Sequence, residues 1–120
     1  MRTFWVRQAR RVWNAALWSL AGIRETWAGE ENFRQWVLVN ALSAALAFSL
    51  DLSGLERAVI IGFGLMILVA ELANTAIETV VDRISTERHP LSRKAKDIGS
   101  AAVALSAITA LLVWLLILFG

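Results

Sequence analysis

The sequence contains no cysteine, one histidine and one proline in 120 residues. The missing cysteine excludes a disulfide scaffold, a thiolate metal centre and a cysteine nucleophile, though it says nothing of redox compartment. A single histidine leaves little room for a histidine metal cluster, and a single proline none for a proline-rich linker. Charge is also scarce, with Asp, Glu, Lys and Arg at 18% against 58% hydrophobic residues. A soluble chain this short exposes much of its surface, so such an apolar excess would have to face water. A bilayer removes the conflict. Walker A, G-x-G-x-x-G, H-E-x-x-H and G-x-S-x-G motifs are absent, as are internal repeats and low-complexity segments, so any enzymatic site is not one of the common soluble designs.

The chain is one domain over residues 1–120 by length, and its expected fold is an all-α membrane protein. Hydrophobic stretches run from about Trp36 to Leu50, Ala58 to Val81 and Ile98 to Phe119. A membrane-crossing helix needs about 20 residues at about 1.5 Å rise each. The second and third stretches meet that length; the first must tilt, borrow its flanks or sit in thinned lipid. Transmembrane helices are expected at about 33–51, 57–81 and 97–119. Between them Asp51–Arg57 reads as a tight exposed turn, and Asp82–Asp97, broken at His89-Pro90, as a longer polar connection. Residues 1–28 place Trp5, Ala9, Val12, Trp13, Ala16, Leu17 and Leu20 at helical spacing, with Arg7, Arg10 and Arg11 on other faces. That pattern is an amphipathic surface helix, with Trp at headgroup level and Arg against anionic lipid. No compact apolar run with a small-residue cleavage site follows the charged start, so the segment is expected to be retained.

Of the twelve Lys and Arg residues, six precede position 35, five lie between 83 and 96, and Arg57 stands alone. Basic blocks interleaved with hydrophobic runs suit a membrane protein better than a nucleic-acid binder, so no nucleic acid is expected as partner. Basic loops stay on the cytoplasmic side, which puts the N-terminus and the 82–97 connection there and the C-terminus outside.

The most informative residues lie in the second stretch. Glu71, Asn74, Thr75, Glu78 and Asp82 recur at i, i+3, i+4, i+7 and i+11, within roughly a 100° arc of one helix face. A carboxylate in hydrocarbon costs at least about 2.5–3.5 kcal/mol on the most lenient scale. Each must therefore be neutralised, paired or metal-bound. A salt-bridged seam holding helices together is the structural alternative to a functional site. Counting inward from Asp82, Glu78 lies one turn deep and Glu71 roughly 16 Å. Glu78 is placed to meet water and a hydrated ion; Glu71 is in drier surroundings, suited to a general base acting on a hydroxyl that arrives from the bilayer.

Two segments then carry a resemblance. Glu71-Leu72-Ala73-Asn74-Thr75-Ala76-Ile77-Glu78 continuing to Val81-Asp82, and Lys96-Asp97-Ile98-Gly99-Ser100-Ala101-Ala102-Val103, closely resemble the prokaryotic integral-membrane diacylglycerol kinase family, a close relative of the undecaprenol kinases. Weaker matches at Trp27, Glu30, Phe33, Arg34, Gln35 and Arg11 extend the likeness over nearly the whole chain. The resemblance implies a bacterial inner-membrane homotrimer of three-span protomers, with active sites shared between subunits at the cytoplasmic face. The implied reaction is ATP-dependent phosphorylation of a membrane lipid alcohol, diacylglycerol to phosphatidic acid. It implies Glu71 as catalytic base, with Asn74 orienting the acceptor hydroxyl and γ-phosphate. Glu30 and Glu78 match carboxylates that hold Mg²⁺ on ATP, a role that suits a cation keeping waters and few protein ligands. Arg11, Ser19, Glu30, Glu78, Glu87, His89, Lys96 and Asp97 match nucleotide-binding positions; Arg34, Gln35, Glu71 and Ser100 match lipid contacts.

Other readings stand beside these. Lys96-Asp97 reads equally as a local pair with Asp97 capping the third span, and Glu30 as a cap on the turn into the first. Gly99, Ser100, Ala101 and Ala104 suit close helix packing whatever the function. Trp36 replaces a Glu common in the family and Trp18 a Tyr, so no acidic role transfers to position 36, and Trp36 reads as an interfacial anchor. His89-Pro90-Leu91 has some likeness to the undecaprenol branch, whereas D-x-G-S-A-A-V favours the diacylglycerol branch. From a different class, a small membrane subunit or proton-coupled carrier could use Glu71 and Glu78 as a relay; the basic 82–97 segment and Glu30, gathered on one side, argue against it.

Overall fold

All of Met1–Gly120 is described by a computed structural model. The chain forms four helices and no strand: α1 (Arg2–Gly29), α2 (Glu31–Ser49), α3 (Gly54–Ile84) and α4 (Pro90–Phe119). It divides into two units, Met1–Glu31 and Asn32–Gly120.

The first unit is essentially the single helix α1. Thr26 is its one buried residue, and Trp5, Trp13 and Trp18 are all exposed. The hydroxyls of Ser19 and Thr26 donate to the Ala15 and Gly22 carbonyls one turn back, each at 2.8 Å, and so are satisfied within the helix. The helix ends at Gly29 because Glu30 leaves helical geometry at φ −119°, ψ 106°, its N–H donating to the Thr26 carbonyl at 2.8 Å. A helix is present where one was expected over 1–28, one residue longer at its end.

In the second unit the connection after α2 is built by side chains that the charge pattern alone left without a task. Ser53 caps α3: its hydroxyl accepts the Glu56 N–H at 3.1 Å, while its own N–H donates to Glu56 Oε1 at 2.9 Å. Two unsatisfied donors are thereby met reciprocally. The hydrogen bond from the Ser53 backbone, followed by that from its side chain, holds the Glu56 carboxyl below its ordinary pKa. Arg57 turns back to α2, donating from Nε to the Ala47 carbonyl at 2.9 Å and from Nη2 to that of Leu50 at 3.0 Å, with its guanidinium 5.4 Å from the Phe48 ring centre. These carbonyls belong to the end of α2, where helical partners run out and a cation is favoured. The lone basic residue between the two basic clusters is thus a cap.

Small residues set the spacing between helices. Gly64 on α3 lies against Asn40 Oδ1 of α2, and Gly99 on α4 against Asn74 Oδ1 of α3; a Cβ at either glycine would overlap the amide oxygen. Trp114 Nε1 of α4 donates to Ser43 Oγ of α2 at 2.9 Å. Trp36, read above as an interfacial anchor, is half-buried and lines a cavity of about 370 Å³ with Asn40, Ser43, Gly64 and Trp114.

The largest departure from expectation lies between α3 and α4. The polar connection expected over 82–97 is only Ser85–His89: α3 runs on to Ile84, and α4 starts at Pro90 rather than near 97. The His89-Pro90 break is a helix start. Proline at the first helical position lacks only an N–H that would have no partner there, and His89 Nδ1 accepts the Leu91 N–H at 3.1 Å. His89, not Asp97, is therefore the N-cap. Asp97 sits two turns inside α4 and pairs with Arg93 at 3.5 Å, and Lys96 pairs with Asp82 rather than with its neighbour.

Helices α3 and α4 are long and apolar enough to cross a membrane, and only 22% and 6% of their most apolar windows are buried. A core helix of a soluble protein would be largely covered. Buried apolar residues are few: Phe33, Ala47, Ile60, Ile67 and Val103.

Arg57→Gln should lower unfolding free energy in detergent by about 1.5–3 kcal/mol, the range for hydrogen bonds to a charged group, and Arg57→Lys should recover only part because an ammonium lacks the planar fork. Denaturant titration followed by circular dichroism measures both. By the same assay Ser53→Ala should cost about 1 kcal/mol. Because the Glu56 pKa is lowered on folding, the contribution of its carboxylate is present at neutral pH and disappears as pH falls through that lowered value.

Candidate active site

The polar stripe of α3 passes from a buried inner end to an exposed outer end. Glu71 is 6% exposed, the only buried ionisable group in the chain, while Asn74, Thr75 and Glu78 are half-buried and Asp82 is exposed at the helix end. Burial and position agree: carboxylates on an apolar helix are tolerable only where protein covers them. Asn74 marks where α4 closes on the stripe. Its Oδ1 rests against Gly99 without a hydrogen-bond partner, and its Nδ2 donates to Glu78 Oε1 at 3.3 Å. Ile77 packs beside it, 3.7 Å from where a Gly99 Cβ would stand.

One turn beyond Glu78, Lys96 Nζ donates to Asp82 Oδ1 at 2.8 Å and ties the start of α4 to the end of α3. That hydrogen bond is the main reason the Lys96 ammonium lies above its ordinary pKa; slight burial opposes it, and the charges of Asp82 and Glu78 reinforce it. An ammonium has three donors, and Asp82 engages one of them.

A cavity of about 580 Å³ opens beside this pair, at the connection between α3 and α4. Its lining includes Asp82, Glu87, His89, Lys96 and Asp97, five residues the sequence singled out, together with Arg88 and Arg93. Arg88 and Arg93 were missed, although their place in the second basic cluster was a usable signal. No acidic residue stands in the first turn of α4, whereas Arg93, Lys94 and Lys96 crowd its first two turns. Cations at a helix N-terminus add to the positive end of the dipole, an arrangement that favours an anion such as phosphate.

The remaining candidates are distributed. Arg11 and Ser19 are exposed on α1, and Glu30 is half-buried at its end, all in the first unit. In the second, Arg34 is half-buried and Gln35 exposed in the first turn of α2, and Ser100 is exposed next to Gly99. No cluster of three or more metal-ligating side chains occurs. The available donors are carboxylate oxygens, and Glu78 Oε1 carries one hydrogen bond at the long limit of 3.3 Å. Such a donor set fits Mg²⁺, which takes one or two carboxylates and completes its shell with phosphate and water.

Comparison with known proteins identifies the family. The family described as prokaryotic diacylglycerol kinase matches residues 17–118. The diacylglycerol kinase of Pseudomonas aeruginosa is 51% identical over 113 residues, covering 92% of this chain and 90% of that protein. That of Escherichia coli K12 is 39% identical over 110 residues, with 92% and 90% covered, and that of Helicobacter pylori strain 26695 is 37% identical over 105 residues, with 88% and 82% covered. On this match the chain belongs to the prokaryotic diacylglycerol kinase family.

Proposed function

We infer that the chain is a lipid kinase that transfers the γ-phosphoryl group of ATP to the free hydroxyl of diacylglycerol, giving phosphatidic acid and ADP. Full-length similarity to diacylglycerol kinases supports the reaction. The observation that carries the site assignment is the burial of Glu71 on an otherwise apolar helix, on the face that leads through Asn74 and Glu78 to the cation Lys96.

Phosphoryl transfer demands positioning, charge neutralisation and an acceptor for the nucleophile's proton. Glu71 takes the hydroxyl proton as the acceptor oxygen bonds to the γ-phosphorus and the bond to the β-phosphate oxygen breaks. Asn74 orients the hydroxyl and γ-phosphate. Lys96 presents its remaining donors to phosphate, and Arg11, Ser19, Glu87, His89 and Asp97 contact the nucleotide. Glu30 and Glu78 are the carboxylates that would hold Mg²⁺, whose charge would offset that of the ATP phosphates. Arg34, Gln35 and Ser100 receive the lipid. ADP leaves to the cytosol and phosphatidic acid to the bilayer.

Topology follows from the same reasoning. Helix α2, at 19 residues, is about 28 Å long and serves as a third span with slight thinning of the bilayer. Both basic clusters then lie on the cytoplasmic side of the bacterial inner membrane and the C-terminus outside. A protomer with so few buried residues covers its polar face incompletely, which supports assembly as a homotrimer with sites shared between subunits.

Purified protein with radiolabelled ATP should label diacylglycerol in preference to undecaprenol; label on undecaprenol alone would reassign the acceptor, and proton flux without ATP would favour a carrier. Glu71→Gln should reduce turnover by about 10²–10⁴-fold, the range for a general base, with nucleotide binding retained, and normal turnover would remove Glu71 from the mechanism. Glu78→Gln should shift the Mg²⁺ titration to higher concentration, whereas an unchanged titration would contradict the ligand role.

A further inference from the structure

We propose that Gly99 is a positioning residue for this site: by lacking a side chain it fixes the amide orientation of Asn74, and through it the Glu78 carboxylate that receives the divalent cation. The inference rests on the reading of Glu78 as a metal ligand.

Three observations carry it. Gly99 is buried on α4, and a Cβ there would overlap Asn74 Oδ1. That oxygen has no hydrogen-bond partner, although it is fully enclosed. The other end of the amide donates from Nδ2 to Glu78 Oε1. An asparagine amide has two faces of opposite polarity. Turned the other way, it would aim its oxygen at the Glu78 carboxylate and its NH₂ at a backbone carbon. As it stands, the oxygen lies against the polarised C–H of Gly99, a weak contact, and the N–H meets the carboxylate. Both ends favour one orientation, and a larger residue at the glycine end requires the amide to move. A methyl group at position 99 must displace Oδ1, and because the amide is rigid, the same movement carries Nδ2 away from Glu78. The carboxylate then loses the donor that holds one of its oxygens and leaves the other for a cation.

The molecule contains its own control. Gly64 meets Asn40 Oδ1 with the same overlap, but Asn40 Nδ2 donates to the Trp36 carbonyl of its own helix at 2.9 Å, and no carboxylate is involved. If Asn-against-Gly contacts serve packing alone, alanine at either glycine should have the same kind of effect.

The test compares Gly99→Ala, Gly64→Ala, Glu78→Gln, Asn74→Ala and the double variant Gly99→Ala/Asn74→Ala as full-length protein in detergent. Unfolding midpoints are recorded beside two binding readouts: Mn²⁺ affinity by electron paramagnetic resonance with ATP present, and binding of a fluorescent ATP analogue as Mg²⁺ is titrated. Both alanine variants should lower the unfolding midpoint. Only Gly99→Ala should also weaken cation affinity, by threefold or more and in the direction of Glu78→Gln. On the Asn74→Ala background, alanine at 99 should add no further loss, since the amide it displaces is gone. Should Gly99→Ala not fold, the double variant, relieved of the overlap, should fold and bind cation as Asn74→Ala does. Cation affinity unchanged in Gly99→Ala, an equal loss in Gly64→Ala, or additive losses in the double variant would each overturn the proposal while leaving the reading of Glu78 intact. Unchanged affinity in Glu78→Gln would overturn that reading and the proposal with it.

Discussion

The constraint on which the rest of the structure depends is the cost of keeping polar side chains on a helix whose surroundings are apolar. At least about 2.5–3.5 kcal/mol per charged side chain is at stake, so the stripe from Glu71 to Asp82 must be covered or paired. Helix α4 approaches the stripe closely where Gly99 meets Asn74, and Lys96 pairs with the outer end at Asp82. The result is graded, from buried Glu71 through half-buried Asn74 and Glu78 to exposed Asp82. A gradient of this kind separates a place for a proton from a place for a hydrated ion within one helix face.

The way α4 starts gives the gradient its outer boundary. Had the chain remained irregular to residue 97, Lys96 would be a loop side chain with many positions open to it. Pro90 and the His89 cap start the helix seven residues earlier and place Arg93, Lys96 and Asp97 on a fixed surface. Proline's effect depends on register: in a helix interior it removes a hydrogen bond and clashes, whereas at the first position it does neither. The cavity at this connection, lined by paired acidic and basic side chains, is the consequence.

At the opposite end, Arg57 and the Ser53–Glu56 box perform a purely structural task, closing α2 and opening α3 within a few residues. Elsewhere the helices expose most of their apolar surface, in keeping with membership of a membrane-bound kinase family. Outside the α3–α4 face, polar side chains of the second unit mostly bond within their own helix or to an adjoining turn, as Thr79 does to the Thr75 carbonyl and Ser106 to that of Ala102. The Trp114–Ser43 bond joins α4 to α2.

Residue order by itself determined the helical class, the amphipathic first helix, two apolar helices of membrane-crossing length and the stripe at Glu71, Asn74, Glu78 and Asp82. Periodicity and composition are local properties, and they survive without knowledge of partners. What only the tertiary structure decided is which atoms meet: Lys96 with Asp82 rather than Asp97, Arg57 with the carbonyls of α2, Asn74 with a glycine on another helix. Those pairings depend on where α4 begins and how closely it approaches α3. A histidine imidazole as N-cap and a missing Cβ set both, and neither leaves a repeating signal in the sequence.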